Sequence, residues 1–356
     1  MPSLDPIVIW GAGAMGGSIG SWLFRAGHDV VFVDSDQAHV QAIRNRGLRI
    51  TGPIGEFTVS APCMLPHEMP SDLGTVLLCV KAHHTEAALD VLAPLLHSDG
   101  FIVSVQNGLN ERLIAERVGV ARTVGCFVNF GADVTEPGVV MRGNHGACVV
   151  GELDGTVGVR IRAVHAAMRS FEPGTLLTRN IWGYLWGKLA YGSMLFATAL
   201  ADASIADVLA EEEYRPALIG LAREAMAVAA GHGVRPEPFD GFDPRAFTAE
   251  ATNRDARASL DQLVAFNRRS AKSHSGVWRD LAIRRRKTEV DAQIATIATL
   301  GEAVGIDVPL TTRLVRLITT WRPDVRNRGW RPMEPCQWTQ VAPDPDLPNA
   351  VGDVGQ

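Results

Sequence analysis

Cysteine is scarce in this sequence, and long apolar runs are absent from it. Five cysteines occur among 356 residues, and they are scattered without a C-x-x-C pair or a mixed Cys/His spacing. Neither a disulfide framework nor a metal site is therefore expected. The longest apolar run, residues 189–201, stops at Asp202. It is shorter than the ~20 residues that a membrane-spanning helix needs.

Charge of one sign is not in large excess either. The net charge is −5 at pH 7, which gives no general attraction to nucleic acid or to an anionic membrane. The opening residues, MPSLDPIVIW, carry no basic group ahead of the apolar stretch, so a signal peptide is not expected. These absences predict a soluble, cytoplasmic protein with reduced cysteines, and with neither nucleic acid nor a membrane as a partner.

The first half of the chain alternates strand-like and helix-like patterns. Apolar runs typical of buried parallel strands occur at residues 7–10, 30–34, 75–81 and 101–107. Helical patterns separate them, and β-rich segments such as TVGCFVNFGADV and GACVVGEL follow. This alternation predicts an α/β fold built on a Rossmann-type, doubly wound parallel sheet.

From about residue 180, helical patterns replace the strands. They cover residues 182–202, 211–233 and 288–305. The chain is therefore predicted to have three parts: a Rossmann domain at 1–178, an all-helical domain at 179–320 and a Pro-rich C-terminal extension at 321–356. The apolar helices of the second domain fit either a homodimer interface or the core of a monomer.

A glycine-rich turn follows the first strand. Gly11, Gly13 and Gly16 form G-x-G-x-x-G directly after a strand and at the start of a helix, which is the context in which this motif binds dinucleotides. Gly11 allows the tight turn, Gly13 the close approach of backbone to a pyrophosphate, and Gly16 the close packing of helix on strand. Together with Ala14 and Met15 they present a helix N-terminus to the phosphates. The motif predicts NAD(P)H as cofactor.

The choice between the two nicotinamide cofactors depends on Asp34. This residue ends the second strand, 18 residues after Gly16, where an acid that binds ribose is expected. A carboxylate there hydrogen-bonds the ribose hydroxyls of NAD and repels the 2′-phosphate of NADP. Arg44 and Arg46 lie about a helix away. NAD(H) is therefore favoured over NADP(H); in the alternative, Asp34 only caps the next helix.

Two polar residues close later strands, and a third interrupts an apolar stretch. Lys81 follows VLLCV and Asn107 follows VSVQ, and open α/β sheets bind ligands at the carboxyl ends of their strands. Lys188 lies in WGKLAYG, where its ammonium must reach a partner, a ligand or water. Each has a structural alternative: Asn107 in a simple turn, Lys81 at a solvated helix start, and Lys188 at a wet edge.

These motifs resemble those of the ketopantoate reductase family. GAGAMGG, CVKAHHTE, QNGLNE, WGKLAYG and RKTEVDAQ occur in the family's order, over about residues 6–320. The resemblance implies a Rossmann domain, a helical substrate domain and reduction of a 2-keto acid by NADPH. It makes Lys188 the proton donor to the substrate carbonyl and Glu289 a carboxylate of the same cleft. It places Asn107 near the nicotinamide and the substrate, and Lys81 on the cofactor side. Glu289 also fits a helix N-terminus, where acids are favoured.

The substrate pocket departs from the family's pattern. Family members usually carry asparagine four residues after the lysine, and Gly192 stands here, so a hydrogen-bond donor is missing and space is opened. Ser275 is the best match to the family's substrate-binding serine. Lys272, with His274 and Arg279, is a candidate contact to a substrate carboxylate.

Three functions remain in consideration. The favoured one is NAD(P)H-dependent reduction of a small anionic 2-keto acid, of the ketopantoate-to-pantoate type. The alternative enzyme is an NAD-dependent hydroxy-acid dehydrogenase that acts in the oxidative direction on a different, larger substrate, with Lys188 as base. A dinucleotide-binding sensor without turnover is the third, but Lys188 and Glu289 are both present, and such a sensor predicts their loss.

Overall fold

The computed structural model describes residues 4–269 and 273–320. Two predicted features lie outside the described residues: Lys272 and the extension at 321–356.

The strands form two sheets. In chain order they are β1 (Ile7–Trp10), β2 (Val30–Val33), β3 (Leu48–Thr51), β4 (Phe57–Val59), β5 (Cys63–Met64), β6 (Leu73–Leu78), β7 (Leu96–Ser104), β8 (Thr123–Val128), β9 (Ala132–Glu136), β10 (Val139–Arg142), β11 (Cys148–Glu152) and β12 (Leu176–Leu177). The large sheet has eight strands in the order β12-β11-β8-β7-β6-β1-β2-β5, and the small one has four in the order β4-β3-β10-β9. The predicted Rossmann-type sheet is thus confirmed.

The large sheet is a mixed one, because one of its strand pairs is antiparallel. β11, the GACVVGEL segment, runs antiparallel to β8, with Val149 opposite Phe127. Between these strands the chain forms the antiparallel pair β9 and β10 and no helix. A parallel return needs a crossover connection, usually a helix, so the antiparallel direction follows from the connection.

Helices cover the sheet and then form the second half of the chain. Those of the first half are α1 (Ala14–Arg25), α2 (Gln37–Arg46), α3 (Thr85–Leu92), α4 (Asn110–Val118) and α5 (Val159–Phe171). Those that follow are α6 (Ile181–Thr198), α7 (Ile205–Ala210), α8 (Arg215–Gly231), α9 (Asn253–Arg268), α10 (Gly276–Trp278), α11 (Val290–Gln293), α12 (Ala295–Glu302) and α13 (Pro309–Thr320). A π-helical turn, Arg279–Ile283, follows α10.

The change from strands to helices occurs where the sequence indicates it. The last strand of the large sheet, β12, precedes α6 by three residues. After it, the described residues contain no strand, only an isolated bridge between Phe239 and Phe242. The predicted all-helical second half is confirmed, whereas the exact domain bounds stay predictions. The predicted helix at 288–305 is divided into α11 and α12.

The helical core extends onto the sheet. α6 is apolar on nearly all sides and is buried along most of its length, as expected of a central helix. Its cluster includes Leu109, Phe127 and Val149 from the first half of the chain. Phe127 packs against Tyr184 and Phe239, with ring centroids 5.8 and 4.8 Å away. This packing sets α6 against the carboxyl end of β8.

Within the described residues, every helix falls short of the length and apolarity needed to cross a bilayer.

Candidate active site

The glycine loop has the geometry of a phosphate-binding turn. Gly11 has φ +105°, and a Cβ there would lie 2.8 Å from the Val80 amide nitrogen. At Gly16 a Cβ would lie 2.1 Å from the Gly11 carbonyl oxygen, so only glycine lets α1 pack this closely on β1. A Cβ at Gly13 would meet no heavy atom within 4 Å. Gly13 is the cap residue of α1, so the backbone there faces open space at a helix N-terminus.

The amide groups of the first turn of α1 can hold an anion. Ala14 and Met15 are partly exposed at the start of the helix, and no acidic side chain lies in that turn. Amide N–H groups of a first helical turn have no partner within the helix and carry partial positive charge. The loop therefore fits a pyrophosphate.

Asp34 lies directly after β2 and is not the cap of the next helix. Asp36 caps α2, accepting hydrogen bonds from the Ala38 and His39 amides. Asp34 Oδ1 accepts from the Asp36 amide at 2.9 Å. The alternative role predicted for Asp34 is therefore wrong, and its half-buried carboxylate keeps acceptor capacity for a hydroxyl.

The two arginines near Asp34 in sequence are engaged elsewhere. Arg44 donates to the Cys63 carbonyl at 2.7 Å and pairs with Glu68. Arg46 donates to the Pro137 carbonyl at 2.8 Å. Neither arginine donates a hydrogen bond to Asp34 in these contacts, although Arg44 lies beside Cys63 of β5, the strand next to β2.

Three adjacent parallel strands end at the same edge. Lys81 follows β6, Asn107 follows β7, and β8 ends at Val128. The Asn107 side chain is exposed at this edge, while its backbone carbonyl accepts from Asn110 Nδ2 at 2.7 Å. Lys81 Nζ lies 3.4 Å from Asp280 Oδ2, so this lysine is tied to the helical half of the chain.

Lys188 points from α6 to the end of β8. Its ammonium donates to the Val128 carbonyl and lies 5.2 Å from the centre of the Phe127 ring. A carbonyl oxygen and an aromatic face both stabilise a cation. The lysine in the apolar WGKLAYG stretch is therefore aimed at the edge where Lys81 and Asn107 lie.

Glu289 reaches the same edge from the residue before α11. Its Oε1 accepts from the Ala82 amide at 2.9 Å, next to Lys81. The residues that follow Glu289 in sequence come close to Gly108 and to Gly192. A Cβ at Gly108 would lie 3.3 Å from the Ala292 carbonyl oxygen, and one at Gly192 would lie 3.8 Å from Ile294 Cδ1. The structure thus brings the RKTEVDAQ, QNGLNE and WGKLAYG motifs together.

Gly192 borders open space one turn along α6 from Lys188. Among the described residues outside the local backbone of α6, only Ile294 Cδ1 would come within 4 Å of a Cβ at this position. A Cβ at this position is therefore accommodated without a clash.

Ser275 begins the short helix α10. It is buried, and its hydroxyl accepts from the Trp278 amide at 3.1 Å, which leaves its proton free to be donated. His274 stacks on Trp278 with ring centroids 4.1 Å apart. Arg279 lies 3.6 Å from Asp133. His274 thus contacts its own segment, and Arg279 contacts β9.

Two acidic residues of the site are not evident from the sequence. Asp280 is buried and accepts from Lys81, Arg284 and Arg286. Glu111, in the first turn of α4, is fully buried in the neighbourhood of Lys188. The last letter of QNGLNE marks Glu111 only as an acid at a helix start, where acids are common.

Metal ligation is not supported by the described residues, in which no group of three or more His, Cys, Asp or Glu side chains could hold an ion. The site is instead one of glycine backbone, two lysines, amides and carboxylates at the carboxyl ends of parallel strands.

Comparisons with known proteins agree with this arrangement. A family model described as ketopantoate reductase PanE/ApbA matches residues 7–155, and its C-terminal counterpart matches residues 180–321. The 2-dehydropantoate 2-reductase of Pyrococcus abyssi is 28% identical over 318 residues, covering 88% of this chain and 96% of that protein. The enzyme of the same name from Mesorhizobium japonicum is 26% identical over 338 residues, with coverage of 88% and 96%.

Solved structures share the fold. A D-mandelate dehydrogenase, solved with NADH and anilino(oxo)acetate, superposes with a TM-score of 0.75 at 21% identity, covering 88% of this chain and 97% of that one. A PanE/ApbA family ketopantoate reductase from Ralstonia eutropha JMP134 gives a TM-score of 0.73 at 23% identity, with coverage of 88% and 97%.

Proposed function

The chain belongs to the ketopantoate reductase family, and we propose that it reduces a small 2-keto acid of the ketopantoate type to the 2-hydroxy acid, using NADH. It is an oxidoreductase that acts on a CH–OH/C=O pair. The observation that carries the proposal is the position of Lys188. Its ammonium is held at the end of β8, in line with the ends of β6 and β7 and with the glycine loop after β1.

The residues of the first half fit a nicotinamide dinucleotide. The open space at Gly13 and the first turn of α1 suit the pyrophosphate. Asp34 has acceptor capacity and receives no hydrogen bond from Arg44 or Arg46 in their contacts, and a carboxylate there suits two ribose hydroxyls better than a 2′-phosphate. A dihydronicotinamide bound there would supply a hydride to the keto carbon.

Lys188 provides the proton. As the keto carbon gains hydride, negative charge develops on the carbonyl oxygen. The Lys188 ammonium stabilises that charge and transfers a proton to the oxygen, which leaves a neutral amine that regains a proton from solvent. Proton transfer from a positioned group contributes roughly 10²- to 10⁴-fold to a rate. The Val128 carbonyl and the Phe127 ring fix the direction of the ammonium.

Other residues orient the substrate. Asn107 offers an amide at the end of β7, and Ser275 offers a hydroxyl proton. Glu289, fixed by the Ala82 amide, is a carboxylate that accepts from a substrate hydroxyl. Lys272 remains a candidate contact to the substrate carboxylate, since an ammonium suits an anionic oxygen.

A second candidate is an NAD-dependent hydroxy-acid dehydrogenase acting on a larger substrate in the oxidative direction. The open space at Gly192 favours it, because asparagine at that position would fill the space and bind a compact substrate. The D-mandelate dehydrogenase that shares this fold was solved with NADH. In this direction neutral Lys188 accepts the hydroxyl proton.

The test is steady-state turnover, followed by dihydronicotinamide absorbance, with NADH and NADPH supplied separately. Ketopantoate is compared with bulkier 2-keto acids, and the matching hydroxy acids are assayed with NAD. We expect NADH to be preferred. Lys188→Ala should lower kcat by roughly 10²-fold or more while NADH binding, measured by fluorescence, is retained.

The matched control is Lys287→Ala, which removes an exposed lysine paired with Asp291 and should leave kcat unchanged. Full activity of Lys188→Ala would contradict the mechanism. Preference for NADPH would contradict the role given to Asp34. NADH binding without turnover of any acid in the panel would indicate a sensor.

A further inference from the structure

Glu111 is a buried acid without a conventional partner. It lies at the second position of α4 and is 0% exposed. Neither carboxylate oxygen accepts a hydrogen bond of standard geometry from a described residue. The hydroxyl of Ser104, the last residue of β7, is buried beside it and interacts with the carboxylate, but the two do not meet in standard hydrogen-bond geometry. An arrangement of this kind opposes folding, since desolvated polar groups are costly when they are not paired.

The other buried acids among the described residues are all paired. Glu152 binds Arg160 through both of its oxygens, Glu172 binds Arg142 at 2.7 Å, and Asp280 binds three cations. Their structural roles are evident from these contacts. Glu111 has no such ion pair, so its burial needs a different explanation.

Lys188 is the charged side chain that influences the pKa of Glu111. Burial raises the pKa of Glu111 to about 7, while its own backbone amide, the Ser104 hydroxyl and the Lys188 ammonium oppose that rise in the pKa. Lys188 also acts on Cys126 of β8, whose thiol pKa is raised well above its usual value by Cys148 and by burial, so that thiol stays neutral. Lys188 of α6 is therefore the charged side chain that acts on Glu111, with Ser104 of β7 beside the acid. Leu109, two residues before Glu111, packs in the cluster around α6, and Cys126 of β8 is influenced by the same lysine.

We propose that Glu111 is a positioning residue that acts through Lys188, its buried carboxylate holding the lysine in the ammonium form that the reduction consumes. The inference rests on the proposed function. Electrostatic interaction is mutual: because the lysine favours the ionised acid, the ionised acid favours the protonated lysine. Glu111 lies under the protein surface, so its charge is not screened by solvent as that of an exposed acid is.

The sign of the effect on activity follows from these protonation states. Reduction needs the ammonium, so activity falls on the basic side as Lys188 loses its proton. In that range the pH lies above the pKa of about 7 of Glu111, and Glu111 is ionised. Removing its charge should therefore move the basic fall in kcat/KM to lower pH by about one unit.

The decisive variants are Glu111→Gln and Glu111→Met, two uncharged side chains of similar length. Both should show the shifted basic limb, keep kcat/KM within a few-fold on the plateau below it, and melt at a temperature no lower than the parent. Glu111→Asp keeps the charge, so its kcat/KM should fall at the same basic pH as that of the parent. The matched control is Glu152→Gln, which loses the pairing with Arg160 and should lower the melting temperature without moving the limb.

A second readout does not depend on turnover. The rate at which Lys188 reacts with trinitrobenzenesulfonate, followed by peptide mass spectrometry across pH, reports the fraction of neutral amine. In both uncharged Glu111 variants this rate should be about tenfold higher at pH values below the midpoint. An unchanged Lys188 profile in both variants would overturn the proposal, even if the parent reduces keto acids. A parent that reduces none would refute the proposed function, while the Lys188 profile would still decide whether Glu111 acts on Lys188.

Discussion

At the scale of single residues, Gly192 controls the size of the space beside Lys188. A Cβ there would meet only Ile294 Cδ1, at 3.8 Å, among the described residues beyond the local helix backbone, so a Cβ is accommodated at ordinary van der Waals distance. The Gly192→Asn variant restores an amide one helical turn from Lys188. We expect it to lower KM for ketopantoate about tenfold relative to a bulky 2-keto acid, the value of roughly one hydrogen bond.

The control for this prediction is Gly192→Ala, which adds the Cβ without the amide. It should leave the ratio of the two KM values close to that of the parent. If alanine and asparagine shift the ratio equally, the effect comes from filled space or from helix propensity, and no hydrogen bond to the substrate is involved.

Residues that act through backbone conformation were predictable, and those that act through burial were not. The roles of Gly11 and Gly16 follow from the motif, and the Cβ positions agree with them. In the sequence, Glu111 is only an acid in a first helical turn, a pattern that is common on exposed helices. Only the packing of α4 against β7 and β8 buries it where the charge of Lys188 acts on it. Pattern alone carries no information on that burial.

At the scale of elements, Asp280 joins the turn that follows α10 to Lys81 at the edge of the large sheet, beside the contacts of Arg279 and Arg284 with Asp133 of β9. Asp280 is 6% exposed and accepts from Lys81 Nζ at 3.4 Å, Arg284 Nη1 at 3.2 Å and Arg286 Nε at 2.9 Å. Asp280→Asn should weaken all three pairs and destabilise the protein by about 1–3 kcal/mol, less than for a fully buried pair because the cations are partly exposed. Hydrogen exchange of residues 279–287 should become faster than in the parent.

Asp291→Asn is the control for this variant. Asp291 pairs with Lys287 at 3.0 Å with both side chains largely exposed, so its loss should change stability by less than about 1 kcal/mol. Equal effects of the two variants on stability and exchange would show that Asp280 does not anchor the turn.

The large sheet was predictable from sequence because its central strands are continuous apolar runs. β1, β2 and β6 are nearly all buried, which produces the pattern of a parallel sheet covered on both faces. The small sheet was not predicted. Its strands have three to five residues and mixed burial, and its parallel pair joins β3 to β10, some ninety residues later. Neither local pattern nor propensity specifies a pairing at that distance.

The contacts between the two halves of the chain could not be predicted from the sequence either. The hydrogen bond from the Ala82 amide to Glu289 joins residues 207 positions apart, and the contact of Lys188 with Val128 spans 60. The family motifs place these residues in one site, but their contacts arise only from the packing of α6 and α11 on the sheet edge.

At the scale of the whole molecule, the two halves share a core and should unfold together. Phe127 of β8 is 1% exposed and belongs to the cluster around α6, so the helical half covers part of the sheet. Separating the halves would expose this apolar surface to water, at a cost that rises with its area. We therefore expect urea unfolding, followed by pulsed hydrogen exchange, to give the same midpoint for peptides from β1–β8 and from α6–α9.

Two substitutions distinguish shared from separate unfolding. Phe127→Ala removes a ring from the common cluster and should lower both midpoints equally, at a cost of about 3–5 kcal/mol. Phe32→Ala removes a ring that is buried only in the core of the sheet half. If the halves form one cooperative unit, this variant also lowers the midpoint of the α6–α9 peptides. If they unfold independently, only the strand peptides respond. Because the Lys188 ammonium is directed by Phe127 and Val128, a molecule whose halves separated before global unfolding would first lose the position of Lys188, the proposed proton donor. Equal midpoints would therefore show that the proposed site persists until the whole molecule unfolds.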